Sequence, residues 1–316
     1  MIVTQHPRTW RARLDAPVPD RIGAAPPELI DELVAYVAMV NALTGNPAVT
    51  VAAAAPRDLL DDVRAAIGGM PDAVTGMLPG VLLGVYFAHA LGSSAITDIV
   101  TDEQGDTIGT VVALDIDALL TRRANAWATW KESSPFLPSP STTLEVRIAD
   151  APDDTRVGAI QFLLLHEFGH VLTAGTGFLP DWWRMPDGVR AAGDYSFLPL
   201  AWDIHADNRI LPRHGEDFAG RDRVRYYGEA QLDGDELLPV YASLQQSSFP
   251  TLYASTNAYD DFAESFATYV HCVLLRRPWQ ARVLRDGAVQ HVTDDFWSSP
   301  RSAPKRAFME RLLAPA

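Results

Sequence analysis

An α+β fold is predicted for this 316-residue chain. Between residues 27 and 69 the apolar side chains are spaced as in helices. After Val81 the pattern changes to runs of β-branched and aromatic residues. One long apolar stretch near 156–174 then returns to helical spacing, with more helical segments towards the C-terminal end. Together these predict a small, antiparallel-containing sheet packed on the 156–174 helix, with a mainly helical C-terminal lobe. A hydrophobic content of 47% is ample for a large core. No internal repeat, low-complexity tract or linker divides the chain, so a single unit over 1–316 is expected.

The first 25 residues are rich in Pro and Arg and read as an extended arm on the body. "PPELIDELVAYVAMVNALTG" has a proline start, apolar residues at helical spacing and a glycine stop, which predicts a helix over 27–44. "PRDLLDDVRAAIGG" predicts a second over 56–69, and "GMPDAVTGMLPG" reads as loop. "VLLGVYFAHAL", "SAITDIVTD" and "TIGTVVALDID" read as strands of a small antiparallel sheet, with "DEQGD" as a hairpin turn between the last two. "ALLTRRANAWATWKES" is helical over 118–133, and "TTLEVRIAD", 142–150, alternates like a further strand. A helix over 156–174 follows, closed by Gly175. Residues 81–175 are thus a sheet and helix lobe. Residues 176–250, with "DWWRMPDG" and "LPLAWDIHADNRILPR", are irregular and aromatic-rich; helices at 258–277 and in "APKRAFMERLL" complete a lobe over 176–316.

A net charge of −14 opposes binding to nucleic acid or to an anionic membrane surface. No stretch reaches the length of a membrane span, and the basic N-terminal stretch is not followed by an apolar signal-peptide core, so a cytoplasmic protein is expected. The one cysteine, Cys272, rules out an internal disulfide and a thiolate zinc cluster.

Within the apolar helix lies "LLLHEFGHVL", 163–172. Two histidines and a glutamate among leucines need partners, because burying them unsatisfied costs several kcal/mol each. Residues four apart share a helix face, so His166 and His170 can present two imidazole nitrogens to one point. Glu167 projects beside that point, where a carboxylate can take a proton from water as it attacks a carbonyl carbon. Leu163, Leu164, Leu165 and Phe168 anchor the other faces, and histidine with carboxylate ligands favours one Zn2+ over other metals.

Catalytic zinc usually takes a third protein ligand. Two stretches compete: "DIHADNR" with Asp203, His205 and Asp207, and "YDDFAESF" with Asp260, Asp261 and Glu264. The second is stronger because Asp260 and Glu264 are four apart on a predicted helix, so that one could bind metal while the other holds a ligating histidine. His205 and Asp207 read best as a capped surface turn. Trp182, Trp183 and Trp202 read as a small core holding the irregular segment in place.

With these residues in view, "YASTNAYDDFAESF", 253–266, resembles the segment that follows HExxH in the zincin metallopeptidase family of the anthrax lethal factor catalytic domain and the Pro-Pro endopeptidases. That pattern has a tyrosine, a Thr-Asn pair, then a glutamate ligand seven residues after the tyrosine. The resemblance covers only this stretch and the helix at 166–170. It implies a zincin-like fold, a donor role towards the reacting oxyanion for Tyr253, ligation by Asp260 and a second carboxylate at Glu264. Aspartate stands where the family has glutamate and is one methylene shorter, so Asp260 and Glu264 both stay candidate ligands, with the register leaning to Asp260. The longer spacing from His170 to Asp260 marks 176–250 as an inserted or remodelled segment facing substrate. The upstream strand edge that holds extended substrate in such folds is expected at "TTLEVRIAD".

The expected function is a zinc endopeptidase acting on a peptide or protein substrate, with Glu167 as general base and Tyr253 as oxyanion stabiliser. The rival expectations are a catalytically silent binding or regulatory protein of the same fold, and a zinc hydrolase of a non-peptide amide.

Overall fold

The structure is a computed structural model, which describes residues 1–184 and 191–314. It divides into two compact units. The first comprises 1–122 and 156–174, the second 123–155 and 175–316. In chain order the elements are β1 (Ile2–Val3), α1 (Pro7–Arg13), α2 (Pro27–Thr44), β2 (Val51–Ala52), α3 (Arg57–Gly68), α4 (Asp72–Thr75), β3 (Leu82–His89), β4 (Ala95–Thr101), β5 (Thr107–Asp115) and α5 (Ile116–Leu119). The chain then enters the second unit for α6 (Ala124–Ser133) and β6 (Thr142–Arg147), and returns to the first for α7 (Arg156–Thr173). The second unit resumes with β7 (Trp202–Ile204), β8 (Ile210–Pro212), α8 (Leu237–Leu244), α9 (Ala258–Thr268), β9 (Gln280–Arg285), β10 (Ala288–Val292) and α10 (Ala303–Leu312). Mixed helices and small sheets make this an α+β protein.

The helices at 27–44 and 57–68 lie where helical spacing put them; Gly45 ends the first in the left-handed region at φ 71°. The expected loop at 69–80 contains the short helix α4. The first unit's sheet has the order β1-β4-β5-β3-β2 and is mixed rather than antiparallel. β4 and β5 form the expected hairpin, with Gly105 at φ 85° in its turn, but β3 runs parallel to β5. The reason is legible in β3, where "LLGVYFA" is continuously apolar and buried from Leu82 to Ala88, the composition of a strand covered on both faces.

The expected extended arm is instead an integral part of the first unit. β1 adds a parallel strand beside Val100 and Thr101, and α1 buries Trp10 completely, its indole donating to Glu32 at 3.0 Å. Arg21, almost fully buried, donates to the carbonyls of Leu14, Ala16, Pro79 and Leu82. Prolines and arginines disguised this segment as surface. A guanidinium can be buried because five donors in a rigid fork let carbonyls satisfy it.

In the second unit, the helix expected over 118–133 is broken at 120–123, and only α6 belongs here. β6 alternates buried and exposed as its sequence does, but pairs antiparallel with β9 in a separate sheet of order β10-β9-β6; the β9–β10 hairpin has no counterpart among the expected elements. The expected lobes were 81–175 and 176–316; in the structure 1–80 groups with the sheet, 123–155 with the second unit, and the chain passes into the second unit for good at 175. The irregular 176–250 segment carries its own small core, in which Phe178 and Phe197 pack on Phe262 and Phe308. Residues 185–188 of "DWWRMPDG" lie outside the described residues. Among the described residues no helix is long and apolar enough to cross a membrane.

The helix expected over 258–277 is α9 followed by a π-turn at Tyr269–Leu274. That turn buries His271, whose Nε2–H donates to the carbonyls of Ile148 at 2.7 Å and Pro278 at 3.1 Å. Burial pushes its pKa down from the usual 6.5 to about 4. The unfolded chain takes up this proton near the usual value and the native state only near the lower one. Stability is therefore complete above the unfolded pKa and falls with pH through that window, by roughly 3 kcal/mol. Urea midpoints are expected to drop between pH 6.5 and pH 4, and His271→Gln to flatten that slope; an equally steep slope in the variant would place the titrating group elsewhere.

Candidate functional site

In the first unit the site is built on α7. This helix is apolar on nearly every side and buried along most of its length, so its polar side chains have little solvent to face. His166 and His170 sit one turn apart, with their Nε2 atoms 3.1 Å from each other and their ring planes at 80°. His166 is buried and His170 half-buried. Two neutral imidazoles that meet at Nε2 either share one proton or aim two lone pairs at a common cation. Two nitrogens each about 2.05 Å from one tetrahedral zinc ion would stand about 3.3 Å apart, close to the separation seen here.

Glu167 is also buried. Its Oε2 accepts a 2.6 Å hydrogen bond from Thr97 Oγ1 on β4, which fixes the direction of the carboxylate. β4 packs against α7, and β1 pairs with it only at Val100 and Thr101.

In the second unit α9 carries the carboxylates. The Asn257 side chain caps the helix by accepting from the amides of Tyr259 and Asp260. Its Nδ2 also donates to Asp260 Oδ2 at 2.6 Å, and Thr256 Oγ1 donates to the same oxygen at 3.0 Å. The Thr-Asn pair thus orients Asp260, a half-buried acid in the first helical turn, where the helix dipole favours negative charge.

Glu264, one turn on, is fully buried and committed elsewhere. Lys131 Nζ donates to Oε1 at 2.8 Å and Thr251 Oγ1 to Oε2 at 2.7 Å. Its expected role as an alternative metal ligand is therefore corrected: inside the second unit one oxygen is held by the buried ion pair with Lys131 and the other by the Thr251 hydroxyl. Burial opposes the charge on Lys131, but Glu264 and Glu132 outweigh it and keep its pKa above the ordinary lysine range. Asp261 is likewise committed, accepting from Lys305 at 2.5 Å and from the Trp202 indole at 2.9 Å. Two buried ion pairs thus pin α9, while Asp260 keeps a different environment.

Tyr253 opens a short 3-10 turn before α9 and is half-buried. Its ring lies 4.4 Å from that of Tyr226 and 6.2 Å from that of Tyr227, and Lys131 Nζ stands 4.2 Å from its centroid.

No family model, curated protein or solved structure matches this chain.

The competing ligand stretch is a surface turn between β7 and β8, as expected. His205 N–H donates to the Arg209 carbonyl, Asp207 accepts from Arg209, and Asp203 is exposed opposite Arg213. Trp202 is buried against Phe249, and Trp182 stacks edge-on with Trp183 and Tyr259. The strand expected to offer an open edge, β6, has that edge covered by α6. Val146 N–H donates to Thr129 Oγ1, and the amides of Ile148 and Ala149 donate to Asn125 Oδ1.

Two residues of consequence escaped the sequence reading. Thr97 is one of several threonines in a β-branched strand, and nothing in the chain ties it to a glutamate 70 residues later. Lys131 did carry a signal: a lysine on the same helix face as Trp127, flanked by Trp130, is placed for burial and needs an acid.

Proposed function

We propose that this chain is a zinc-dependent peptidase with a zincin-like fold. In this reading His166, His170 and Asp260 hold one zinc ion, Glu167 is the general base and Tyr253 the donor to the oxyanion. The observation that carries it is the Nε2 pair of α7, at a separation suited to two ligands of one tetrahedral ion. The donor set agrees, since the two histidines and Asp260 each offer one ligand atom of the kind zinc takes. The motif at 253–266, with Thr256 and Asn257 orienting Asp260, supports the same assignment.

A zinc ion bound there would supply Lewis acidity and make a water a better nucleophile at neutral pH. Glu167, aimed by Thr97, takes the proton from the attacking water and returns it to the departing amine. Tyr253 donates its phenolic O–H to the oxygen on which negative charge gathers. Asp260 is half-buried in the first turn of α9, whereas Asp261 and Glu264 are fully buried and paired with Lys305 and Lys131.

Zinc analysis of the purified protein tests the reading directly. About one zinc per chain is expected, with loss of cleavage of a mixed peptide library on chelation and recovery on adding zinc back. A folded protein that takes up no zinc would overturn it; zinc without cleavage of any peptide would favour a binding role or a non-peptide amide. Thr97→Val should lower kcat about tenfold with KM little changed, because an unaimed base loses rate rather than binding. Full turnover in that variant would remove Thr97 from the assignment.

A further inference from the structure

We infer that Lys131 is a positioning residue for Tyr253; this rests on the proposed role of Tyr253 and deepens it. Lys131 lies inside the second unit on α6, almost fully buried. Its ammonium is held by Glu264 at 2.8 Å, with Glu132 at 3.7 Å. Glu132 in turn accepts from the hydroxyls of Tyr226 and Tyr241, both at 3.0 Å. The charged and titratable groups facing this cluster within the unit are thus Lys131, Glu132, Glu264, Tyr226, Tyr227 and Tyr241.

A buried ion pair needs only its two charges, yet this ammonium also stands 4.2 Å from the centre of the Tyr253 ring. A cation at that distance is attracted to the ring face. Tyr226 packs against the same ring at 4.4 Å and is itself tied to Glu132. The ring is therefore set by a cation and an aromatic neighbour that share one hydrogen-bonded network. Glu264, expected from spacing to be a ligand, thereby acquires a different role, since it holds the lysine that holds the tyrosine.

The test places 3-fluorotyrosine at position 253 of the full chain and records its fluorine resonance without metal or substrate. Lys131→Met leaves the Glu264 charge buried and alone, so Lys131→Met/Glu264→Gln is made in parallel to keep a foldable neutral pair. In both variants the resonance is expected to shift or split, and kcat to fall about tenfold or more with KM within about twofold, the signature of a misplaced transition-state donor. Lys305→Met/Asp261→Asn, which removes the other buried pair of α9, should lower the melting temperature and leave the resonance in place. An unmoved resonance with unchanged kcat in the neutral double variant would overturn the inference. If Tyr253→Phe cleaves peptide at full rate while the resonance still follows Lys131, it is the role of Tyr253 that fails and not the contact.

Discussion

Glu167→Gln is expected to reduce peptide hydrolysis by about 10²- to 10⁴-fold while zinc content and melting temperature stay close to those of the parent protein. Glutamine has nearly the same shape, and its side-chain oxygen can still accept the 2.6 Å hydrogen bond that Thr97 gives to Glu167. The helix, the histidine pair and their Nε2 separation should be undisturbed. What disappears is the ability to take a proton from the attacking water. The loss should therefore sit in kcat, with KM moving little, and raising pH should not restore the rate as it would if the base only had to be deprotonated. Initial rates on a cleavable peptide, with zinc measured on the same preparation, decide the matter. Retention of even a tenth of the parent rate would mean that another group accepts the proton.

The second large effect separates two acids that the sequence leaves side by side. Asp260→Ala is expected to keep the fold and lose most zinc affinity, because Asp260 is half-buried at a helix start and its neutral partners Asn257 and Thr256 can turn to solvent. Glu264→Ala is expected to do the reverse at first sight: to destabilise the protein by about 3–5 kcal/mol, since it strands the buried Lys131 ammonium without its acid. Thr251 Oγ1 loses its acceptor in the same variant. Zinc affinity measured on folded Glu264→Ala, at a temperature well below its transition, should stay within severalfold of the parent, whereas Asp260→Ala should differ by orders of magnitude. If Glu264→Ala lost zinc as completely as Asp260→Ala while still folded, the assignment of Asp260 as sole acidic ligand would fall.

Those two acids also show how far the chain could be read in one dimension. Four-residue spacing put Asp260 and Glu264 on one helix face, and spacing carries no information about what stands opposite that face. Lys131 and Thr251 meet Glu264 from distant sequence, so its commitment to an ion pair could not be seen. The N-terminal arm failed for a related reason: Arg21 looks like surface until four carbonyls are found around it. The antiparallel pairing of β4 with β5 follows from the short turn between them, whereas the parallel direction of β3 depends on the path between strands, although its unbroken apolar run is that of a strand buried on both faces.

By itself the sequence determined what depends on neighbours along the chain. Helical spacing, a proline start, a glycine stop and the HEFGH register place α2, α3, α7 and α9 and align His166 with His170, because hydrogen bonds and side-chain faces within a helix repeat every few residues. Only the tertiary structure decided which charged groups are satisfied and by whom: Thr97 for Glu167, Lys131 for Glu264, Lys305 for Asp261. Those pairings join residues from 44 to 133 positions apart, and they form because burying a charge is tolerable only beside its partner.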